Sequence, residues 1–315
     1  MSWIASIQKL KEKGVIGMNY RNIELIGRYN SRDKYPLVDN KLITKKIAQE
    51  AGIAVTELYA KIEWQSELNR LHDILAPYEN FAIKPVHGSG GKGIIVITHR
   101  EGDVFIKANG ESMTLLQIRD HISNILSGLY SLGGRYDVAI IEKLVVFDPV
   151  FQNFSYEGVP DIRIIVYKGY PLMAMMRCPT HQSNGKANLH QGAVGVGIDI
   201  GTGRALNAVM HNHPIQTHPN TKHDFAELQI PQWEKILHIA ATCYDMTGLG
   251  YLGTDIVFDE NFGPLLLELN ARPGLAIQIA NDKGERHRVE RVDKEKEGKS
   301  VEERVRFSMD VLSKI

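Results

Sequence analysis

Asp255, Glu268 and Asn270 are the residues whose types and spacing point most directly to chemistry. They lie in GTDIVFDENFGPLLLELNARPGL, residues 253–275. The alternation of this stretch predicts a hairpin of Tyr251–Phe258 and Pro264–Leu269, turning at Asn261-Phe262-Gly263. Glu268 and Asn270 then share one face of their strand, and pairing brings Asp255 alongside. Two carboxylates and an amide oxygen are hard ligands suited to Mg²⁺, with Mn²⁺ as an alternative. Such an ion neutralises charge on a transferring phosphoryl group. The plainer reading is a pair of polar residues at strand ends. Against it, Glu268 follows the apolar run Leu265-Leu266-Leu267 and needs a partner there.

Three further segments carry candidates. In FAIKPVHGSGGKGI, residues 81–94, Lys84 ends an apolar strand and a glycine-rich loop with Gly90 and Gly91 follows. Backbone N–H groups of such a loop cradle phosphates, although a tight hairpin turn explains the glycines equally well, and no Walker A pattern is present. In IIEKLV, residues 140–145, Glu142 emerges from an apolar strand. A carboxylate there reads an adenine amino group or ribose hydroxyls, or forms a salt bridge at the sheet edge; the residues alone favour the salt bridge. In the stretch 161–193, Asp161 and Arg163 alternate on one face, Arg177 ends the partner strand, and Asn188 and His190 follow in a loop. A guanidinium placed there holds a carboxylate or phosphate in bidentate fashion. His211, His213, His218 and His223 lie in a Pro- and Asn-rich loop and read as exposed polar residues rather than metal ligands.

The elements that must position these side chains follow from periodicity. Ser2–Lys13 has Trp3, Ile4, Ile7 and Leu10 at helical spacing. A helix is expected over Asn40–Ala51, ending at Gly52, and a strand over Ile53–Tyr59. Glu67–Leu75, Thr114–Leu129 and Ile230–Met246 read as helices. Phe81–Lys84, Ile94–Thr98 and Ala139–Val146 read as strands, and Asp161–Tyr167 with Tyr170–Met176 as a hairpin. Lys283–Arg304 is dominated by charge and reads as a solvated helix or linker, whereas Val301–Leu312 has the apolar spacing of a helix that docks back.

The 315 residues suffice for one large or several small domains. Thirty-seven basic residues balance thirty-seven acidic ones, so no global basic field for nucleic acid exists. Cys178 and Cys243 match no zinc spacing and are expected as small core residues. No apolar run reaches the ~20 residues of a transmembrane helix. A cytoplasmic protein is expected.

Taken in order, these segments resemble the ATP-grasp superfamily, and most closely the α-L-glutamate ligases of ribosomal proteins and the proteins like them. The likeness spans roughly Asp39–Gly274. DNKLITKKIAQEAGIAV is similar to the opening helix and strand, AIKPVHGSGGKGI to the phosphate-loop hairpin, and IIEKLV to the hinge strand. DIR, Arg177 and KANLHQG resemble the D-I-R…R…S-N-L-H-R-G-G pattern. The resemblance implies a mixed α/β (α+β) fold in which two α+β subdomains grip ATP between antiparallel sheets. The divisions expected are a reduced N-terminal segment 1–38, a lid subdomain 39–145, a metal-binding subdomain 146–282 and a charged C-terminal helix 283–315.

By the same resemblance Lys41 and Lys84, with Gly90 and Gly91, meet ATP phosphates, and Glu142, Lys143 and Val145 line the adenine pocket. Asp161, Lys186 and Asn188 lie near the nucleotide, and Asn188 also reaches the reacting centre. Arg177 stabilises an acyl phosphate, and Asp255, Glu268 and Asn270 hold Mg²⁺. Arg272 stands where a small residue is usual and is a candidate for binding an acidic substrate. The implied reaction joins a carboxylate to an amine through an acyl phosphate, releasing ADP and phosphate, with glutamate or another amino acid as the added amine. The alternative is a nucleotide-binding regulatory or scaffold protein of the same fold without turnover. A partner protein or a homo-oligomer fits either reading.

Overall fold

The computed structural model describes residues 7–88, 90–131 and 133–315. Its framework is two antiparallel sheets. The smaller has six strands: β1 (Leu58–Ile62), β2 (Phe81–Pro85), β3 (Ile95–Glu101), β4 (Val104–Lys107), β5 (Ser112–Thr114) and β6 (Ala139–Glu142), in the order β1-β6-β2-β3-β4-β5. The larger has seven: β7 (Asp161–Tyr167), β8 (Tyr170–Cys178), β9 (Val194–Ile198), β10 (Ala205–Met210), β11 (His213–Ile215), β12 (Tyr251–Asp259) and β13 (Gly263–Asn270), in the order β11-β10-β9-β8-β7-β12-β13. This is the mixed α+β architecture expected.

One face of the smaller sheet packs on a helix, and its central strands are also buried on the other face, at Ala82, Ile140 and Glu142. Phe81, Ile83, Ile97, Phe105, Ala139 and Ile141 pack with Ile118, Ile122 and Ile125 of helix α2 (Leu115–Leu126). The period of two therefore turns Ala82, Lys84 and Glu142 to the opposite face.

The larger sheet is buried on both faces, which explains the near-continuous apolar sequence of its central strands. Ile162, Ile164 and Val166 of β7 face helix α3 (Trp233–Thr247). Ile165 and Tyr167 face a second layer containing Ile16, Leu25, Ile277, Val289 and Phe307. Helix α1 (Lys41–Glu50) places Ala48 in the core of this larger sheet; Asn40 caps it by accepting from the Leu42 and Ile43 amides.

The two sheets meet along a seam. Val55 bridges Leu266 of the β13 edge in parallel, and the Leu266 amide donates to the Ala54 carbonyl at 2.9 Å. Two residues later the Lys143 amide donates to Glu57. The Val146 amide donates to Asp259 Oδ2 at 2.8 Å, tying the segment after β6 to the end of β12.

Several expectations need correction. The strand expected at Ile53–Tyr59 begins only at Leu58, because Ile53 enters the larger core and Val55 serves the seam. The strand expected over Ala139–Val146 ends at Glu142. Near the N-terminus, Ile7–Glu12 is helical with Ile7 and Leu10 exposed, while Trp3 and Ile4 lie outside the described residues. The charged stretch after Lys283 is not simply solvated: Glu285, Arg288 and Arg304 are buried. Arg288 donates to the Leu172 carbonyl at 2.6 Å, and Arg304 Nη1 donates to Asp245 at 3.0 Å. The helix Val301–Asp310 docks as expected, burying Val305 and Phe307. His218, expected in an exposed loop, is buried, with Nε2 2.9 Å from the Pro179 carbonyl.

Candidate functional site: a cleft between two sheets

On the larger sheet, strand register collects six polar side chains on one face. Asp161 pairs with Arg177, Asp255 pairs with both Arg163 and Glu268, and Asn270 stands opposite Gly253. Directly opposed residues in an antiparallel ladder face the same side. Arg163 Nε donates to Asp255 Oδ1 at 2.7 Å, and Arg177 Nη2 donates to Asp255 Oδ2 at 2.8 Å. Arg177 also grips Asp161 through Nε and Nη2. Two carboxylates thus share two guanidinium groups in a nearly dry setting. Burial would raise the Asp255 carboxyl, yet Arg163 and Arg177 hold it down at about 2. Burial instead prevails at Asp161, which among the described residues has Arg177 alone as a direct partner and Asp255 beside it, and its carboxyl rises.

The smaller sheet supplies the facing wall. Lys84 Nζ donates to Glu142 Oε2 at 2.7 Å, and Lys45 Nζ lies 2.9 Å from Oε1. Thr56 adds a hydroxyl to Glu142 Oε2 at 3.1 Å and accepts from Lys45 at 2.8 Å. Burial opposes ionisation of Glu142, but the two ammonium groups hold it at about 2. Lys45 itself is lowered by burial, against the pull of Glu142. Lys41 Nζ donates to the Gly88 carbonyl at 2.7 Å, at the start of the glycine loop.

Between the walls lies a cleft of about 100 Å³, lined by Lys41, Lys45, Lys84, Glu142, Leu266 and Glu268 among others. It adjoins a second cavity of about 170 Å³ at the seam, lined by Val55, Lys143, Leu144, Val145, Phe262 and Leu265. The inner cleft is rich in ammonium groups and suits an anion. The seam cavity is mostly apolar, with Lys143 Nζ 4.9 Å from the centre of the Phe262 ring. It suits a planar aromatic group.

The other expected site residues are scattered around this frame. Gly90 and Gly91 take positive φ in an open loop, which favours glycine at both positions. Gly93 does so beside Tyr130, where a Cβ would meet the ring at 2.6 Å. Lys186 is exposed, and the Asn188 side chain is spent on accepting from the His190 amide; neither lines either cavity. Arg272 is exposed and lies 5.1 Å over the Tyr35 ring. Sequence reasoning missed Lys45 and Thr56. The signal for Lys45 was present, since it follows Lys41 by four residues and so shares its helix face. Arg163 alternates with Asp161 but its partner, Asp255, is distant in sequence.

The residues present fit Mg²⁺ by their chemistry. The Glu268 carboxylate lines the cleft and has no hydrogen-bond or ion-pair partner among the described residues. Asn270 Oδ1 accepts only the Arg272 amide, at 2.8 Å. Asp255 is already engaged by two arginines, which leaves it one acceptor position. Among the described residues no three His, Cys, Asp or Glu side chains group closely enough to hold a metal unaided.

A fold of two antiparallel sheets facing across such a cleft defines an ATP-grasp protein. The family model described as sugar-transfer associated ATP-grasp matches residues 20–294, and the chain belongs to that family. Solved structures with a similar course include the ATP-grasp ligase PsnB complexed with minimal precursor, at 14% identity and a TM-score of 0.43, covering 81% of this chain and 59% of that one. Another is D-alanine–D-alanine ligase from Bacillus anthracis complexed with ATP, at 13% identity and a TM-score of 0.43, covering 84% and 66%. A third is N5-carboxyaminoimidazole synthetase from Staphylococcus aureus complexed with ADP, at 11% and 0.43, covering 76% and 46%. The chain thus spans less than two thirds of the PsnB chain. Such low identities and scores carry no activity across. No curated protein matches the sequence.

Proposed function

We propose that this protein is an ATP- and Mg²⁺-dependent carboxylate–amine ligase, forming an amide through an acyl phosphate and releasing ADP and phosphate. One observation carries the reading: Lys41, Lys45 and Lys84 line the same cleft as the carboxylate of Glu268, which has no partner among the described residues. Lys84 and Lys41 neutralise the phosphates, and Glu142 keeps Lys84 aimed while Lys45 shares its charge. Lys143, Leu144 and Val145 offer backbone and an apolar wall to adenine. Glu268 and Asn270, with Asp255, would hold Mg²⁺, which supplies charge neutralisation on the transferring phosphoryl group. Arg163 and Arg177 are held in place by Asp255 and Asp161 at the end of the sheet. Arg177 stabilises the charge that develops on the carbonyl oxygen as the amine attacks. Asn188, Lys186 and Arg272 are assigned to the substrate side, with Arg272 receiving an acidic group. Glutamate or another amino acid is the amine, and a peptide, small-molecule or sugar-bearing carboxylate is the acid.

The test is ADP and phosphate release by purified protein with Mg²⁺, ATP, a panel of carboxylates and a panel of amino acids. Release that requires an acid and an amine together supports the ligase. The engagement of Asp255 by two arginines favours a second reading, a nucleotide-binding regulatory protein. ATP binding without ADP release across all pairs would establish that one instead.

A further inference from the structure

Outside the lining of the cleft, one residue before the Gly88 carbonyl that accepts from the cleft residue Lys41, stands a histidine whose environment is built rather than incidental. His87 opens the glycine loop, half-exposed, and its Nδ1 lies 2.9 Å from Asp137 Oδ1. Asp137 is buried and also accepts the His87 amide through both oxygens at 3.1 Å and the Val138 amide at 2.7 Å. A carboxylate so anchored fixes the proton of the ring on Nδ1. The other nitrogen, Nε2, lies 3.4 Å from Asn40 Nδ2. Asn40 cannot flip, because its Oδ1 is committed to capping helix α1. A donor therefore faces Nε2, which must carry a lone pair.

The charged groups around the ring come from three elements. Asp137 precedes β6, Asp39 and Lys41 flank Asn40, and Arg272 follows β13. The Asp39 carboxyl is raised by desolvation and pulled down by Arg272, His87 and Lys41, so all four share one locality. Lys41 reaches the loop itself through Gly88.

We propose that His87 is the general base of the amide-forming step, with Asp137 as its positioning residue. The inference rests on the ligase reading. The amine nitrogen attacks the acyl-phosphate carbonyl, the C–N bond forms, and one amine proton passes to His87 Nε2. The C–O bond to phosphate breaks with its electron pair leaving on phosphate, and His87 returns the proton to that phosphate. The sum is amine plus acyl phosphate giving amide plus hydrogen phosphate. Asp39 offers a carboxylate to the incoming amine, and Asp137 supports the imidazolium while it lasts.

Two measurements test this. Diethyl pyrocarbonate labelling of the full chain, mapped by mass spectrometry, reads the Nε2 lone pair without any substrate. His87 should label faster than His72 and His99, although their side chains are more exposed at 62% and 55% against 43%. Asp137→Asn should remove that advantage. Labelling of His87 no faster than theirs overturns the proposal. In turnover, hydroxylamine attacks acyl phosphates without a base. In His87→Gln the ratio of amide to hydroxamate should fall about 100-fold. An unchanged ratio overturns the proposal while leaving the ligase reading intact. Absence of ADP release in the unmodified protein sinks the ligase reading, and the base assignment with it.

Discussion

Arg177 ties Asp161 to Asp255 across two strand pairings, donating Nη2 to Asp255 at 2.8 Å while its Nε serves Asp161. Asp255 has Arg163 as well, whereas among the described residues Asp161 has Arg177 alone as an ion-pair partner. Arg177→Met therefore strands Asp161. Leaving one buried charge unpaired costs about 3–5 kcal/mol, read by urea denaturation. Adding Asp161→Asn in that background should recover a large part of the loss. No recovery would mean that Asp255, and not Asp161, bears the cost.

Lys84 and Lys45 share Glu142, but only Lys84 sits on the strand that leads into the glycine loop. Lys84→Met should leave Glu142 paired with Lys45 and so keep the fold. It should weaken ATP binding by roughly 2 kcal/mol, about thirtyfold in Kd, by isothermal titration. Lys45→Met should cost stability first, since Lys45 is buried.

Glu285 makes stability fall with rising pH. It is fully buried with Oε1 unpartnered, and burial lifts its carboxyl from 4.5 to about 7 although the Tyr251 hydroxyl donates to it at 2.8 Å. Its folded value lies above its unfolded one, so the folded state binds more protons between them. That stability is complete below pH 4.5 and is lost as pH rises through 7. The loss is on the order of 3 kcal/mol. Glu285→Gln should flatten the profile between pH 5 and 8, by roughly that margin at the upper end. Glu142 acts in the opposite sense: its stability is present above pH 4.5 and lost as pH falls toward 2.

The sequence made much of this legible where pattern and chemistry coincide. The β12–β13 hairpin followed from alternation, and with it the shared face of Glu268 and Asn270. The β7–β8 hairpin followed in the same way, across Lys168-Gly169. What stayed hidden depends on partners remote in the chain. Arg288 reads as surface until the Leu172 carbonyl, 116 residues away, is placed against it. Ile53–Thr56 reads as a strand because its residues are apolar and β-branched, yet it is the seam between sheets. His87 reads as one polar residue in a glycine loop; only the fold brings Asp137 and Asn40 to its two nitrogens.

The central claim is that ATP binds this cleft through a metal held by Glu268. Calorimetric titration of ATP, with Mg²⁺ and then with EDTA, tests it on the unmodified protein and on Glu268→Gln. Binding should be strong with Mg²⁺ and at least tenfold weaker with EDTA, and Glu268→Gln should abolish the difference. Equal affinity in Mg²⁺ and EDTA, or no binding in either, would contradict the account.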